Sequence, residues 1–357
     1  MATNTLPPEI CTRIAQFSRP SDLPALCRTR KCFLIPAQSK LYHTLMLGDP
    51  FIACHPLLQT IQNSSIGSYV RSLFIYQDDR LYSRRPIPDT FWKVLQRALG
   101  SMPNLEHLLI FDPTLSHSWV LNDPGNITFQ LREAKFRLAW DEHTVAFFET
   151  QRKLTFLQCS DSPEGEPRSP LPTGALPTLR AFDGPMLVAV ELLQCPLTHL
   201  QVAIDMEAEP HSTAFINLFC QYQCRKTLRS LSLLELRPEK GLETLASVAN
   251  SIPDIRYLGI IPFISVNRHK FHKILMSFTS IKVLELDLTT WHPQPMPPPF
   301  QRAIVAEIRV YAPSLQQISL WVDRNRFMWT VNKESNTWTW AADAGRVAYN
   351  EALWRYQ

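Results

Sequence analysis

The apolar positions of this chain fall into a short unit, apolar-x-x-apolar-x-apolar, that returns along most of its length. It is clearest late, at Leu228-x-x-Leu231-x-Leu233, Ile255-x-x-Leu258-x-Ile260, Ile281-x-x-Leu284-x-Leu286 and Leu315-x-x-Ile318-x-Leu320. Earlier copies start at Val70, Leu105, Leu154 and Leu197, and degenerate ones lie at Leu179-x-x-Phe182 and over 131–136. Between copies the period lengthens to that of a helix, which predicts helices over 89–99, 186–193, 212–222, 242–252, 269–278 and 300–311. Near the end the period is two: Phe327-x-Trp329-x-Val331, a turn at 333–336, then Trp338-x-Trp340. That pattern predicts a hairpin with an aromatic face, followed by a helix over 343–354.

Short strand, loop and helix in succession resemble a leucine-rich repeat. The anchors lie 18 residues apart at the closest (Leu179 to Leu197) and 35 at the widest (Val70 to Leu105), around the ~20–29 of such repeats. One unit cannot bury its own apolar side, so neighbours must stack and share a core. The asparagine usual after each strand is missing, with Pro113, Ser162, Leu236 and Thr289 in its place, so irregular turns are expected. The competing reading is an α/β domain with a mixed sheet. The terminal hairpin and helix are expected to cap the last core.

Residues 6–47 differ from the repeats. Prolines 7, 8, 24 and 36 fit the first turns of three short helices, where a missing N–H costs nothing. Ser21 is the expected N-cap of the second helix. Apolar residues recur at helical spacing: Ile10, Ile14 and Phe17; Leu23, Leu26 and Cys27; Phe33, Ala37 and Leu41. So small a unit buries little surface alone, and part of its apolar face is expected to dock a partner. Leu6-Pro7-x-Glu9-Ile10, Ile14, Asp22-Leu23-x-x-Leu26-Cys27, Lys31-x-Phe33, Ala37 and Leu41-Tyr42 resemble an F-box, with Phe33 where that family often has Trp. The form is similar to the F-box proteins abundant in mushroom-forming fungi. The resemblance implies a Skp-type adaptor bound through Leu6, Pro7, Ile10, Ile14, Leu23, Leu26 and Cys27, and through it a cullin ubiquitin ligase. The alternative is a three-helix cap whose apolar residues all face inward.

The expected fold class is therefore α/β (α+β). Residues 1–48 form the adaptor-binding helices, 49–322 the irregular repeat, and 323–357 the cap. In leucine-rich repeats the residues flanking the strand leucines point to the concave face. By that likeness Tyr76, Phe111, Phe156, Tyr257 and Trp321 are the candidate anchors for a target protein, since aromatic residues dominate interface energetics.

Composition narrows the function. Among 357 residues, 45% are hydrophobic and 19% charged, which is globular. Twenty-nine prolines against ten glycines suit many short elements with proline-bearing loops and count against glycine-rich phosphate loops. A net charge of +4 is too balanced to point to nucleic acid or membrane. No secretory signal and no apolar run of membrane length are visible, so a cytoplasmic or nuclear location with reduced thiols is expected. Cys11, Cys27, Cys159, Cys195 and Cys220 read as small buried hydrophobes. Two loops are proline-rich, 160–174 and 293–299, and the first carries Ser162-Pro163 and Ser169-Pro170, dipeptides open to phosphorylation.

Catalytic motifs are missing: there is no Gly-x-Gly-x-x-Gly, Walker loop, His-Glu-x-x-His or Gly-x-Ser-x-Gly. His269 and His272, beside Arg268, Lys270 and Lys273, read as a solvated basic face. No metal or cofactor is expected. The implied function is that of a non-catalytic substrate receptor in an SCF-type ligase. The alternative is a protein-binding repeat scaffold that recruits no ligase.

Overall fold

A computed structural model describes residues 6–48, 54–76, 87–123, 127–162, 168–206, 208–222, 224–295, 297–322, 325–332, 337–342 and 353–355. The chain divides into two compact units, Met1–Pro177 and Thr178–Gln357.

The first unit opens with three packed helices, α1 (Pro8–Phe17), α2 (Leu23–Thr29) and α3 (Lys31–Leu41). Pro8 and Pro24 stand in the first turns, as expected. Pro36 does not: α3 begins five residues earlier and carries Pro36 in its interior. The residue capping α2 is Asp22 rather than Ser21, whose hydroxyl donates to the Asp22 carboxylate at 3.2 Å. Lys40 on α3 donates to the carbonyls of Gln16 and Ser18, the latter at 2.8 Å. A cation thus satisfies the free carbonyl end of α1 and ties it to α3.

Five parallel strands follow in chain order: β1 (Thr44–Leu47), β2 (Ser72–Ile75), β3 (His107–Phe111), β4 (Glu133–Arg137) and β5 (Phe156–Cys159). The sheet begins earlier than the repeat pattern showed, because Leu45 and Leu47 are buried and join it as β1. Helices α4 (Cys54–Gln62), α5 (Asp89–Gly100) and α6 (Glu142–Thr150) lie between strands. The anchors Leu73, Ile75, Leu108, Ile110, Ala134 and Phe136 are buried, while the residues between them on β3 and β4 stay half-exposed or exposed. That alternation is the signature of a sheet covered on one face.

In the second unit six strands run parallel: β6 (Ala181–Pro185), β7 (His199–Ala203), β8 (Ser230–Leu234), β9 (Tyr257–Pro262), β10 (Val283–Asp287) and β11 (Gln317–Val322). Between them lie α7 (Met186–Leu192), α8 (Ser212–Leu218), α9 (Cys224–Thr227), α10 (Gly241–Ser251), α11 (Arg268–Leu275) and α12 (Pro298–Tyr311). An antiparallel pair, β12 (Asn325–Val331) and β13 (Trp338–Ala342), closes the edge as the expected hairpin. Its turn at 333–336 lies outside the described residues, as does all of the expected 343–354 helix except Leu353 and Trp354. Those two belong to a single 3-10 turn, Leu353–Arg355.

The repeat slips between β9 and β10. β9 holds one residue more than β10 across it, so Ile261 takes the place opposite Leu286 that spacing assigned to Ile260. Ile260 sits at φ 55°, a left-handed conformation costly for a β-branched residue. The missing asparagines are replaced locally. The Asp112 carboxylate accepts the Thr114 N–H at 2.9 Å and the Ser116 N–H at 2.8 Å, and the Asp287 carboxylate accepts the Thr289 N–H at 2.8 Å.

Two expectations are corrected by burial. Cys220 is exposed, not buried. His272 belongs to no solvated face: it is 3% exposed and stacks on Tyr311 at 4.4 Å with a 6° tilt. Burial, reinforced by Arg268, lowers its pKa. Glu307 lies 3.4 Å from its Nδ1 but is held by Arg268, so burial dominates. The folded state therefore binds fewer protons here than the unfolded chain. Stability is expected to fall as pH drops below about 6.5, the ordinary histidine value, and His272→Gln to flatten that dependence. Urea midpoints of the two proteins between pH 7.5 and 5 (about one unit either side of an unperturbed histidine) check this.

Candidate functional site

The three-helix unit carries two apolar stripes on one helix. On α1, Cys11 and Ala15 point into the core with Leu23, Phe33 and Ala37. Leu6, Ile10, Ile14 and Phe17, spaced by four, four and three residues, point outward. Ile10 is 43% exposed and Phe17 87%, and on α3 Ile35 is 63% exposed beside Leu34. Leu6 and Pro7 are exposed, and Leu26 and Cys27 half-buried. Leu23 is the exception among the expected adaptor contacts: it is fully buried and packs the helices together. Phe17, Leu34 and Ile35 join the exposed set. Phe17 continues the Ile10–Ile14 stripe and was legible. Leu34 and Ile35 follow Cys32 and Phe33 in an apolar run that gives no facing direction.

The five aromatic candidates on the strands separate. Tyr76 and Phe111 stay accessible, while Phe156, Tyr257 and Trp321 are buried. In the first unit the face opposite the anchors holds a depression of about 250 Å³ lined by Leu109, Phe111, Lys135, Arg137, Gln158 and Ser160 among others. The Arg137 guanidinium lies 4.7 Å above the Phe111 ring and the Lys135 ammonium 5.7 Å from the Phe156 ring. Aromatic faces thus hold two cations in place. The cations alternate with Ala134 and Phe136 along β4, in a stretch read only as a degenerate repeat copy.

The corresponding face of the second unit is closed. Gln201, Ser230, Ser232, Glu285 and Ser319 occupy its strand positions and all are buried. The turn Leu353–Arg355 packs against β7, β8 and β9 with Trp354 buried. Helices already occupy the leucine side of these strands, so the turn covers the other. Tyr257 and Trp321 belong to a buried polar cluster centred on Glu285. The Tyr257 hydroxyl donates to Oε1 at 2.8 Å, the Trp321 indole N–H to Oε2 at 2.7 Å, and Arg326 to Oε1 at 2.8 Å. Burial first, then the Glu285 charge, push the Tyr257 pKa well above 10. Gly259 makes room for this arrangement, because a Cβ there would lie 2.5 Å from the Tyr257 hydroxyl.

One histidine cluster escaped the sequence reading. His117 stacks on Trp92 at 4.7 Å, with Nδ1 3.0 Å from Asp112 and Nε2 3.3 Å from Asp89. Both ring nitrogens face carboxylates, so neither is left to activate a nucleophile. The Ser118 hydroxyl donates to Asp141, the cap of α6. Burial raises the Cys195 and Cys224 thiols to about 12 and 11, far from a reactive thiolate. Among the described residues no group of three potential ligands is placed to hold a metal, and no helix is long and apolar enough to cross a membrane.

The chain matches no protein-family model and no curated protein.

The Glu285 cluster generates a stability prediction. Removing one member leaves a buried charge without its partner, which costs about 3–5 kcal/mol. Arg326→Met is expected to lose that much in urea unfolding. Arg326→Met/Glu285→Gln, which removes both charges, is expected to recover most of it.

Proposed function

We propose that the chain is a non-catalytic substrate receptor of an SCF-type ubiquitin ligase, acting in the cytoplasm or nucleus. Its N-terminal helices hold a Skp-type adaptor and its strand-and-helix repeat holds a target protein. The observation that carries the reading is the outward stripe on α1, with Leu34 and Ile35 also exposed on α3. A cap serving only its own core would turn these side chains inward. Complete burial of such a side chain is worth about 1.5–3 kcal/mol, and covering the part still exposed contributes a corresponding fraction of that. Together with the F-box-like residue pattern this supports adaptor docking through Leu6, Pro7, Ile10, Ile14 and Phe17, with Leu34 and Ile35 alongside.

In this reading the target contacts the open face of the first unit, at Tyr76, Phe111, Lys135 and Arg137. Catalysis is by proximity: holding target and conjugating enzyme together raises their effective concentration. The receptor itself supplies no reacting group.

Co-purification of the full chain with a recombinant Skp-type adaptor tests the proposal. Wild type is expected to bind stoichiometrically. Ile10→Asp/Ile14→Asp, both at exposed positions, is expected to weaken binding at least about thirtyfold, the loss of about 2 kcal/mol of contact energy, with an unchanged melting temperature. Leu23→Asp would unfold the helices and prove nothing. A folded wild type that ignores the adaptor would sink the receptor reading and leave a repeat scaffold.

A further inference from the structure

The residue just before each strand forms a second pattern, independent of the anchors. Its main chain is fixed by a ladder. In the second unit the Thr198 N–H donates to the Arg180 carbonyl, Arg229 to Thr198, Arg256 to Arg229, Lys282 to Arg256 and Gln316 to Lys282, each at 2.8 Å. The side chains at this position therefore stand in one row at strand spacing, about 4.8 Å. The row reads Arg180, Thr198, Arg229, Arg256, Lys282, Gln316: four cations and no acid. Arg229 is half-exposed and Arg180, Arg256 and Lys282 are exposed. None of the four is ion-paired among the described residues.

The row of the first unit carries an acid of its own. Its ladder runs through Arg71, Glu106, Arg132 and Thr155. There Glu106 lies 3.0 Å from Arg132 and 3.8 Å from Arg71, so one carboxylate is shared between the two arginines. Like charges on neighbouring strands repel and give folding nothing, so the uncompensated row of the second unit has no structural return.

Beside it lies a depression of about 270 Å³, lined by Arg225, Lys226, Arg229 and Asp254 among others. Asp254 is engaged by the Thr279 hydroxyl. No aromatic residue lines this depression or stands in the row, so the stacking platform that single-stranded nucleic acid uses is missing.

We propose that this edge is a docking surface for an acidic polypeptide segment, laid across the starts of β8, β9 and β10. An extended segment presents a carboxylate on one side about every 6.8 Å, within reach of flexible arginine and lysine side chains rooted about 4.8 Å apart. The proposal is independent of adaptor binding, which involves the other compact unit.

The test is fluorescence anisotropy of a short fluorescein-labelled oligoglutamate peptide on the full chain at low salt. Arg229→Glu/Arg256→Glu/Lys282→Glu is expected to weaken binding at least about tenfold. Lys93→Glu/Arg97→Glu/Lys270→Glu makes the same change in net charge elsewhere and is expected to alter it less than about twofold. Ile10→Asp/Ile14→Asp is expected to bind the peptide as wild type does. Because the row is exposed and self-repelling, Arg256→Gln/Lys282→Gln is expected to melt no lower than wild type and still to bind more weakly. The proposal is overturned by no binding to wild type, by equal losses in the two triple variants, or by tighter binding of an oligonucleotide of the same charge.

Discussion

Everything in this protein depends on one shortage: a single turn of the repeat has too few apolar side chains to leave water by itself. Leu284 and Leu286 are dry only because Leu258 and Ile261 lie on one side and Ile318 and Leu320 on the other. Parallel pairing supplies that contact, and each strand start hands its carbonyl to the next. Stacking tolerates error because each interface is short. The extra residue in β9 ends its pairing with β8 at Gly259, while pairing with β10 resumes at Ile261.

The same rule explains why the strands of the two units differ on the side away from their helices. The first unit leaves that side of β3 and β4 open, so these two strands alternate and present Phe111, Lys135 and Arg137 outward. The second unit covers it, so serines, a glutamate and a tyrosine are drawn into a dry environment and must find partners. Glu285 serves as the common acceptor for three donors from β9, β11 and β12. Residues that the repeat pattern assigns to recognition are here used to fasten the sheet to its own closing strands.

Periodicity made the leucine-side contacts legible, because those repeat locally and a strand has only two faces. It left the burial of Tyr257 and Trp321 open, since both end on Glu285 in a cluster whose members come from strands distant in sequence. It also misplaced Leu23 and His272 for opposite reasons. Leu23 shares its helix face with half-buried residues, and only the packing of α2 on α3 tells core from surface. His272 sits among charges in sequence, yet helical geometry turns it toward Tyr311 while Lys270 and Lys273 point away. Arg229, Arg256 and Lys282 stand beside the anchors of three successive copies, at a position that the apolar pattern does not read.

Strand direction at the end of the chain has a consequence for self-association. A parallel stack has no intrinsic last turn, and an open edge of exposed main-chain donors and acceptors invites further strands from other molecules. Reversing direction at β12 and again at β13 leaves β13 running the same way as β11, so chain direction by itself would admit a further parallel strand. What limits growth there is length: β13 spans five residues, and a short edge strand offers an incoming chain few main-chain partners.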